Sequence, residues 1–260
     1  LEFKDIFTKY EAIVAEVDSA FNKVAEQADD GIKCHKGCSD CCHALFDLTL
    51  VEALYLNHKF NEKYSGMERS QILERADEAD RQIHKIKRNA FKASQAGKSA
   101  SEIIKEISLA RVRCPLLGTE DSCDLYESRP LTCRIYGTPM NIGGEAHCCG
   151  KSGFDKGKQY PAMNMDVLQN KLYELSKEIS DSINSSYKEL SEMLIPASMA
   201  LLTDFTMEYL GARTSKKAEP EPEPEPLEVT PQACSTCSED KSACADCNYS
   251  VSLGQAPEKD

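Results

Sequence analysis

The cluster Cys34-x3-Cys38-x2-Cys41-Cys42 constrains this chain more than any other feature. A two-residue gap is the spacing at which a turn directs two sulfurs to one point, so this loop reads as metal-binding. Gly37 permits the tight turn, and His35 and His43 lie beside the thiols as possible substitute ligands. Adjacent cysteines in a tight turn commonly point apart, so Cys41 and Cys42 indicate either two neighbouring centres or one ligand with a spare thiol. A looser group follows: Cys114-Pro115, Cys123, Cys133 between Arg129 and Arg134, and Cys148-Cys149, with His147 beside the last pair. Pro115 and Pro130 remove backbone donors and fix chain direction, which suits thiols held at loop corners. Arg129 and Arg134 are placed to offset thiolate charge, hydrogen-bond a sulfur or hold an anionic substrate. The plainer alternative is a surface ion pair with Glu127 or Asp124.

Composition narrows the reading. Of thirteen cysteines in 260 residues, nine lie between 34 and 149 and four between 234 and 247. A chain of this length buries a core without covalent staples, nine is an odd number and adjacent pairs are awkward to bridge, so a disulfide scaffold fits poorly. Thirty-one basic against forty-three acidic residues, a formal charge of −12, leave no basic face for phosphates or anionic lipid. Nucleic acid is therefore not an expected partner. No apolar run approaches a membrane span and no signal region is read, so the expectations are no membrane insertion and a cytoplasmic protein.

The periodicity is helical. Phe3, Ile6, Phe7, Tyr10, Ile13, Val14, Val17, Phe21 and Val24 form a stripe on a helix ending before Asp29-Asp30-Gly31. Thr49-x-x-Glu52 reads as a capping box opening a helix to about Asn61, and Ser99-x-x-Glu102 opens another bearing Ile103, Ile104 and Ile107. A polar helix over about 67–95 buries a narrow stripe of Ile72, Ala76, Ala79, Ile83, Ile86 and Ala90. A helix over about 162–192 is marked by Leu168, Leu172, Leu175, Ile179 and Ile183, and Pro196 and Gly211 bracket the last one. With strand alternation nearly absent, residues 1–214 are expected to be an all-α helical bundle carrying a loop-borne cysteine cluster. These stripes read as core packing. His58 and His84 fall on helices and read as surface residues.

Composition shifts after residue 214. The run Glu219-Pro220-Glu221-Pro222-Glu223-Pro224-Glu225-Pro226 is expected to be an extended linker within 215–231, because alternating prolines exclude helix and the glutamates repel one another. Residues 232–260 form a small cysteine-rich tail, Cys234-x2-Cys237-x6-Cys244-x2-Cys247. Two CxxC pairs can close a four-thiolate site, although the six-residue gap is shorter than in a usual zinc ribbon.

The ordered series Cys34-His35-Lys36-Gly37-Cys38-Ser39-Asp40-Cys41-Cys42-His43, Cys114-Pro115-Leu116-Leu117 and Cys123-Asp124-Leu125-Tyr126-Glu127-Ser128-Arg129-Pro130-Leu131-Thr132-Cys133-Arg134 resembles the YkgJ family of cysteine-cluster proteins, a zinc- or iron-chelating domain, over about residues 31–150. The resemblance implies a metal- or iron–sulfur-binding domain fed by both groups. Its ligands would be Cys34, Cys38, Cys41, Cys42, Cys114, Cys123 and Cys133, with an eighth from Cys148 or Cys149. Flagellin lysine methylases look like distant relatives of the same pattern.

Thiolate softness suits zinc and iron–sulfur clusters alike. The leading expectation is an iron–sulfur protein, with a [4Fe–4S] cluster favoured over other forms, serving electron transfer or redox chemistry with a protein partner. One alternative is a structural zinc module for interaction or metal handling. The other is a cluster-dependent group-transfer enzyme such as a protein methylase, for which the sequence offers only the weak glycine pair Gly143-Gly144 as a cosubstrate signal.

Overall fold

The computed structural model describes residues 3–28, 31–35, 37–155 and 157–213. They belong to one unit, Leu1–Thr214. The linker at 215–231 and the tail cysteines Cys234, Cys237, Cys244 and Cys247 lie outside the described residues.

Seven α-helices dominate these residues: α1 Lys4–Gln27, α2 Leu50–Lys63, α3 Gly66–Gln95, α4 Ala100–Leu109, α5 Leu131–Ile135, α6 Met165–Ser182 and α7 Ala197–Leu202. The fold is mostly helical but not all-α. Two small sheets are present, β1 Asp47–Thr49 antiparallel to β5 Leu194–Pro196, and β2 Met140–Ile142 between antiparallel β3 Glu145–His147 and parallel β4 Met163–Asn164. Strands of two or three residues are too short to display a period of two, which is why the sequence does not announce them.

Helix α2 is central. Leu50, Val51, Ala53, Leu54, Tyr55, Leu56 and Phe60 are all buried, as is Glu52, so its first half is enclosed on every side. It is tied to its neighbours through polar groups as well: Val51 donates its N–H to Ser176 on α6, and Asn57 donates to the carbonyls of Ala200 and Thr203 at the end of α7. The capping box at Thr49 and Glu52 is formed as expected. Helix α1 covers the core with Ile6, Phe7, Tyr10, Val17 and Val24, and α3 presents Ile72, Ala76, Ala79 and Ile83.

Three expectations are corrected. Helix α6 stops at Ser182 rather than near 192, because Asn184 adopts a left-handed conformation (φ 46°) and the chain turns back so that Ser186 donates to the carbonyl of Gly211. The last helix is short, ending at Leu202. Gly211 does not cap it but sits in a turn at φ 66°, where an added Cβ would lie 2.8 Å from the Tyr187 ring. Helix α4 has its capping box but buries no residue completely; it packs on the far half of α3, leaving Ile104 65% and Leu109 70% exposed.

Candidate metal centre

The helices bring the two cysteine groups together by holding loops, and each loop is pinned by identifiable contacts. Cys41–His43 form a single 3₁₀ turn in which Cys42 donates to the Ser39 carbonyl and His43 to that of Asp40. The carbonyl of Cys42 then accepts from the N–H of Cys114 at 2.7 Å, and that of His43 from Val112, which stitches the first group to the second. The loop carrying Cys114 and Cys123 is closed by pairing of Leu117 with Cys123. From α3, Arg75 donates to the Pro115 carbonyl at 2.9 Å and to the Asp124 carboxylate at 2.8 Å, while Lys63 and Tyr64 both donate to the carbonyl of Asp124. Asp124 therefore pairs with Arg75 and not with Arg129.

Cys133 rides on α5, whose first residue Leu131 donates its N–H to the buried carboxylate of Glu52 at 3.0 Å. Arg134, next along, is committed to structure: it pairs with Asp18 on α1 at 2.7 Å and donates to the carbonyls of Arg129 and Glu127. Its side chain is only 7% exposed, and each of its three nitrogens already donates to a protein oxygen where it borders the outer cavity. Arg129 donates to the Tyr126 carbonyl and stacks its guanidinium 3.6 Å from the centre of the Tyr126 ring. It faces the thiols on both sides of the cluster.

Two adjoining cavities are lined by these thiols. The inner one, about 60 Å³, has Cys41, Cys42, Cys114, Cys123 and Cys133 in walls otherwise built of groups such as Leu45, Phe46 and Ile83. The outer one, about 430 Å³, has Cys34, Cys38, Cys41, Cys133 and Cys149 in polar walls that include Asp40 and Tyr136. Arg129 lines both. The nine cysteines among the described residues are all free thiols. No three Cys, His, Asp or Glu side chains among the described residues converge on the position of a single ion; the thiols stand around the walls instead.

The structure separates the last two cysteines. Cys149 lies 3.6 Å from the Asp40 carboxylate, and Asp40 in turn lies 3.6 Å from the Lys151 ammonium. Cys148, exposed at the end of β3, opens with His147 into a different cavity. His43 turns its Nδ1 to the Ser39 carbonyl at 3.0 Å. Cys41 and Cys42 share the wall of the inner cavity, and of the two only Cys41 also lines the outer one.

Electrostatics makes the assembled thiols poor anions by themselves. Burial pushes Cys114 up to about 12 and Cys34 up to about 11, and it raises Cys123, Cys133 and Cys149 as well. Neighbouring thiols add to the rise at Cys34 and Cys133. Cys41 is the exception, lowered to about 7 by the hydrogen bond from Cys42, with Arg129 assisting. Crowded, desolvated thiols that resist ionisation one by one are stabilised as thiolates by a bound cation, and the soft donor set suits zinc or iron. Residues 34, 38, 41, 42, 114, 123, 133 and 149 fit such a group.

Two positions of the site were not singled out in the sequence. Gly137, after α5, has the Sγ of Cys34 2.1 Å from where a Cβ would stand, so only glycine leaves that thiol its place. Asp40 holds Cys149. Neither carries a local signal beyond its residue type.

A helical scaffold with a loop-borne polythiol cavity defines a metal-binding domain. Residues 33–151 match the model of the CxxCxxCC family, the YkgJ type, described as a "putative zinc- or iron-chelating domain". No curated protein and no solved structure gives a significant match. No helix among the described residues is long and apolar enough to cross a membrane.

The placement of the paired cysteines gives a direct prediction. Cys149→Ser is expected to weaken metal binding at least about 10-fold, whereas Cys148→Ser leaves it within about 2-fold, as read by competition with a chromogenic chelator.

Proposed function

We propose that this domain holds an iron–sulfur cluster on its inner thiols and exchanges electrons with a protein partner. The observation that carries the reading is the inner cavity, where Cys42, Cys114, Cys123 and Cys133, drawn from separate chain segments, face a small space with apolar walls. A polynuclear cluster is held from outside by cysteines spread around it. Four sulfurs on one zinc at about 2.3 Å instead stand within about 4 Å of one another. Apolar walls exclude water, and Arg129 supplies a positive charge beside the thiols. Both act on a cluster's reduction potential. The cluster, when bound, would supply one-electron chemistry, while the chain's own residues fix the thiols and keep solvent out.

A second reading has zinc in the same place, as a structural interaction or metal-handling module. The family description, which names zinc and iron alike, supports it equally. Anaerobic purification followed by metal analysis and optical and EPR spectra separates the two. The expected result is iron with acid-labile sulfide and a visible band near about 400 nm that bleaches on reduction. Colourless anaerobic protein with stoichiometric zinc sinks the iron–sulfur reading. The acidic balance of the chain, −12 before any thiolate is counted, favours a partner that offers a cationic surface.

A further inference from the structure

The chain total of −12 conceals a segment of the opposite sign. Residues 85–113, which run from the second half of α3 through α4 to the start of the second cysteine group, hold eight basic and two acidic side chains, a net +6, and the rest of the chain carries −18. Lys87 is paired with Asp47 and Lys98 with Glu106, whereas Lys85, Arg88, Lys92 and Lys105 are exposed and make no ion pair among the described residues. The same hairpin of helices leaves large apolar groups in water: Phe91 is 65% exposed, and Ile104 and Leu109 are no better covered. Helix α4 accounts for most of this. Ile103 and Ile107 are half-buried on one side of it, and at about 100° per residue Ile104, Lys105 and Leu109 follow one another around the other. A ten-residue helix is too short to persist in water on propensity alone, so a second apolar face with nothing over it is an unfinished contact.

We infer that the outward face of α4, with the cations of α3, docks an acidic amphipathic helix of a partner protein. Ile104 and Leu109 offer apolar anchors to the partner's apolar stripe, and Lys105 between them, with Lys85, Arg88 and Lys92, supplies the charge that selects acidic residues along its edges. The −18 on the remainder of the chain favours a helix over an extended polyanion. At physiological salt charges act over about 8 Å, so a short acidic helix meets only the local cations. A nucleic acid or an anionic bilayer lies across the acidic remainder as well, and is repelled by it. This face is separate from the thiols and from the cationic partner proposed for the domain, and the inference holds whichever metal is bound.

The test uses the full-length protein, with circular dichroism to confirm that each variant keeps its helicity. The probe is a fluorescein-labelled synthetic peptide of about 18 residues, roughly five helical turns, with leucine on one face and glutamate on the other. Its controls are the same residues in scrambled order and a version with lysine in place of glutamate. Fluorescence anisotropy is expected to show the acidic amphipathic peptide bound at least about 10-fold more tightly than either control, and weakened at least about 5-fold when salt is raised from about 0.05 M to about 0.5 M. Ile104→Ser with Leu109→Ser, at exposed positions where substitution costs the fold little, is expected to lower affinity at least about 10-fold at either salt concentration. Arg88→Glu, Lys92→Glu and Lys105→Glu together are expected to lower it about as much at low salt and to abolish the salt dependence. Equal binding of the acidic and scrambled peptides, or folded variants that bind as the wild type does, overturns the inference. Tighter binding to vesicles with about 30% anionic lipid than to the peptide assigns the face to a membrane and overturns it too. So does a dimer that dissociates in the Ile104→Ser, Leu109→Ser variant, which places a second copy there. Peptide binding that tightens when Glu219, Glu221, Glu223 and Glu225 are replaced by glutamine assigns the face to this chain's own linker, and likewise overturns the assignment to a partner.

Discussion

Glu52→Ala is expected to destabilise the protein by about 3–5 kcal/mol and to lower its thermal midpoint by about 10 °C. The side chain is only 4% exposed and makes three hydrogen bonds, from the N–H and hydroxyl of Thr49 and from the N–H of Leu131. Alanine leaves two buried backbone donors unmatched and removes the link between α2 and the start of α5. Metal retention is expected to fall with stability, because α5 carries Cys133. Glu52→Gln keeps the volume but offers one acceptor oxygen in place of two, so a smaller loss of about 1–3 kcal/mol is expected. The pH dependence separates the two effects. Burial raises the Glu52 carboxyl above its usual range, outweighing the hydrogen bonds from Leu131 and Thr49, and Tyr10 on α1 faces the same group. A carboxyl raised on folding binds its proton more tightly in the native state. Its contribution is therefore greatest below about pH 4.3 and declines as pH rises through the folded value. The stability gap between wild type and Glu52→Gln should narrow over that interval and then stay constant, as urea titrations across pH would show. A gap that widens with pH contradicts this assignment.

Glu52 also shows where sequence reading reaches and where it stops. Thr49-x-x-Glu52 is legible as a capping box because both partners are local, and the box is present. That the second oxygen of the same carboxylate holds Leu131, 79 positions away, has no local signature. The same division runs through the scaffold. The long helices α1 and α3 follow their apolar stripes to within a residue or two, since each stripe repeats over many turns. Helix α6 was legible at its start but not its end: the reversal at Asn184 depends on pairing with the distant segment around Gly211.

The centre divides in the same way. The spacing of Cys34, Cys38, Cys41 and Cys42 predicted convergence on one ion; these thiols instead line two cavities with Cys114, Cys123 and Cys133, and among the described residues no three ligand side chains meet at one point. The choice between Cys148 and Cys149 was not legible, because it turns on where β3 ends and on Asp40, more than a hundred residues earlier. Arg134 was read as a possible partner of sulfur or substrate from its position beside Cys133. Its carboxylate partner, Asp18, lies on α1, and helical periodicity alone does not reveal which exposed acid a buried arginine meets.

Cys133→Ser and Cys114→Ser are expected to have the largest effect on metal binding, each lowering the affinity of the inner thiols at least about 100-fold and leaving anaerobically purified protein with little bound iron. Both residues face the inner cavity, and burial raises both thiols. Serine is the useful replacement because it is close in size and leaves the packing around Leu131 and Ile135 intact, so loss of metal with preserved helicity points to the sulfur. Oxygen from a serine hydroxyl is a harder, far less acidic donor than a thiol and does not substitute for it on zinc or iron. The control is Cys148→Ser, whose side chain opens into a separate cavity and whose replacement should leave metal content unchanged. If Cys133→Ser and Cys114→Ser retain wild-type metal stoichiometry, the inner cavity is not the site. The retained metal must then sit on the outer thiols or the tail, which serine replacement of Cys34, Cys38 and Cys149, and separately of Cys234, Cys237, Cys244 and Cys247, would show in turn.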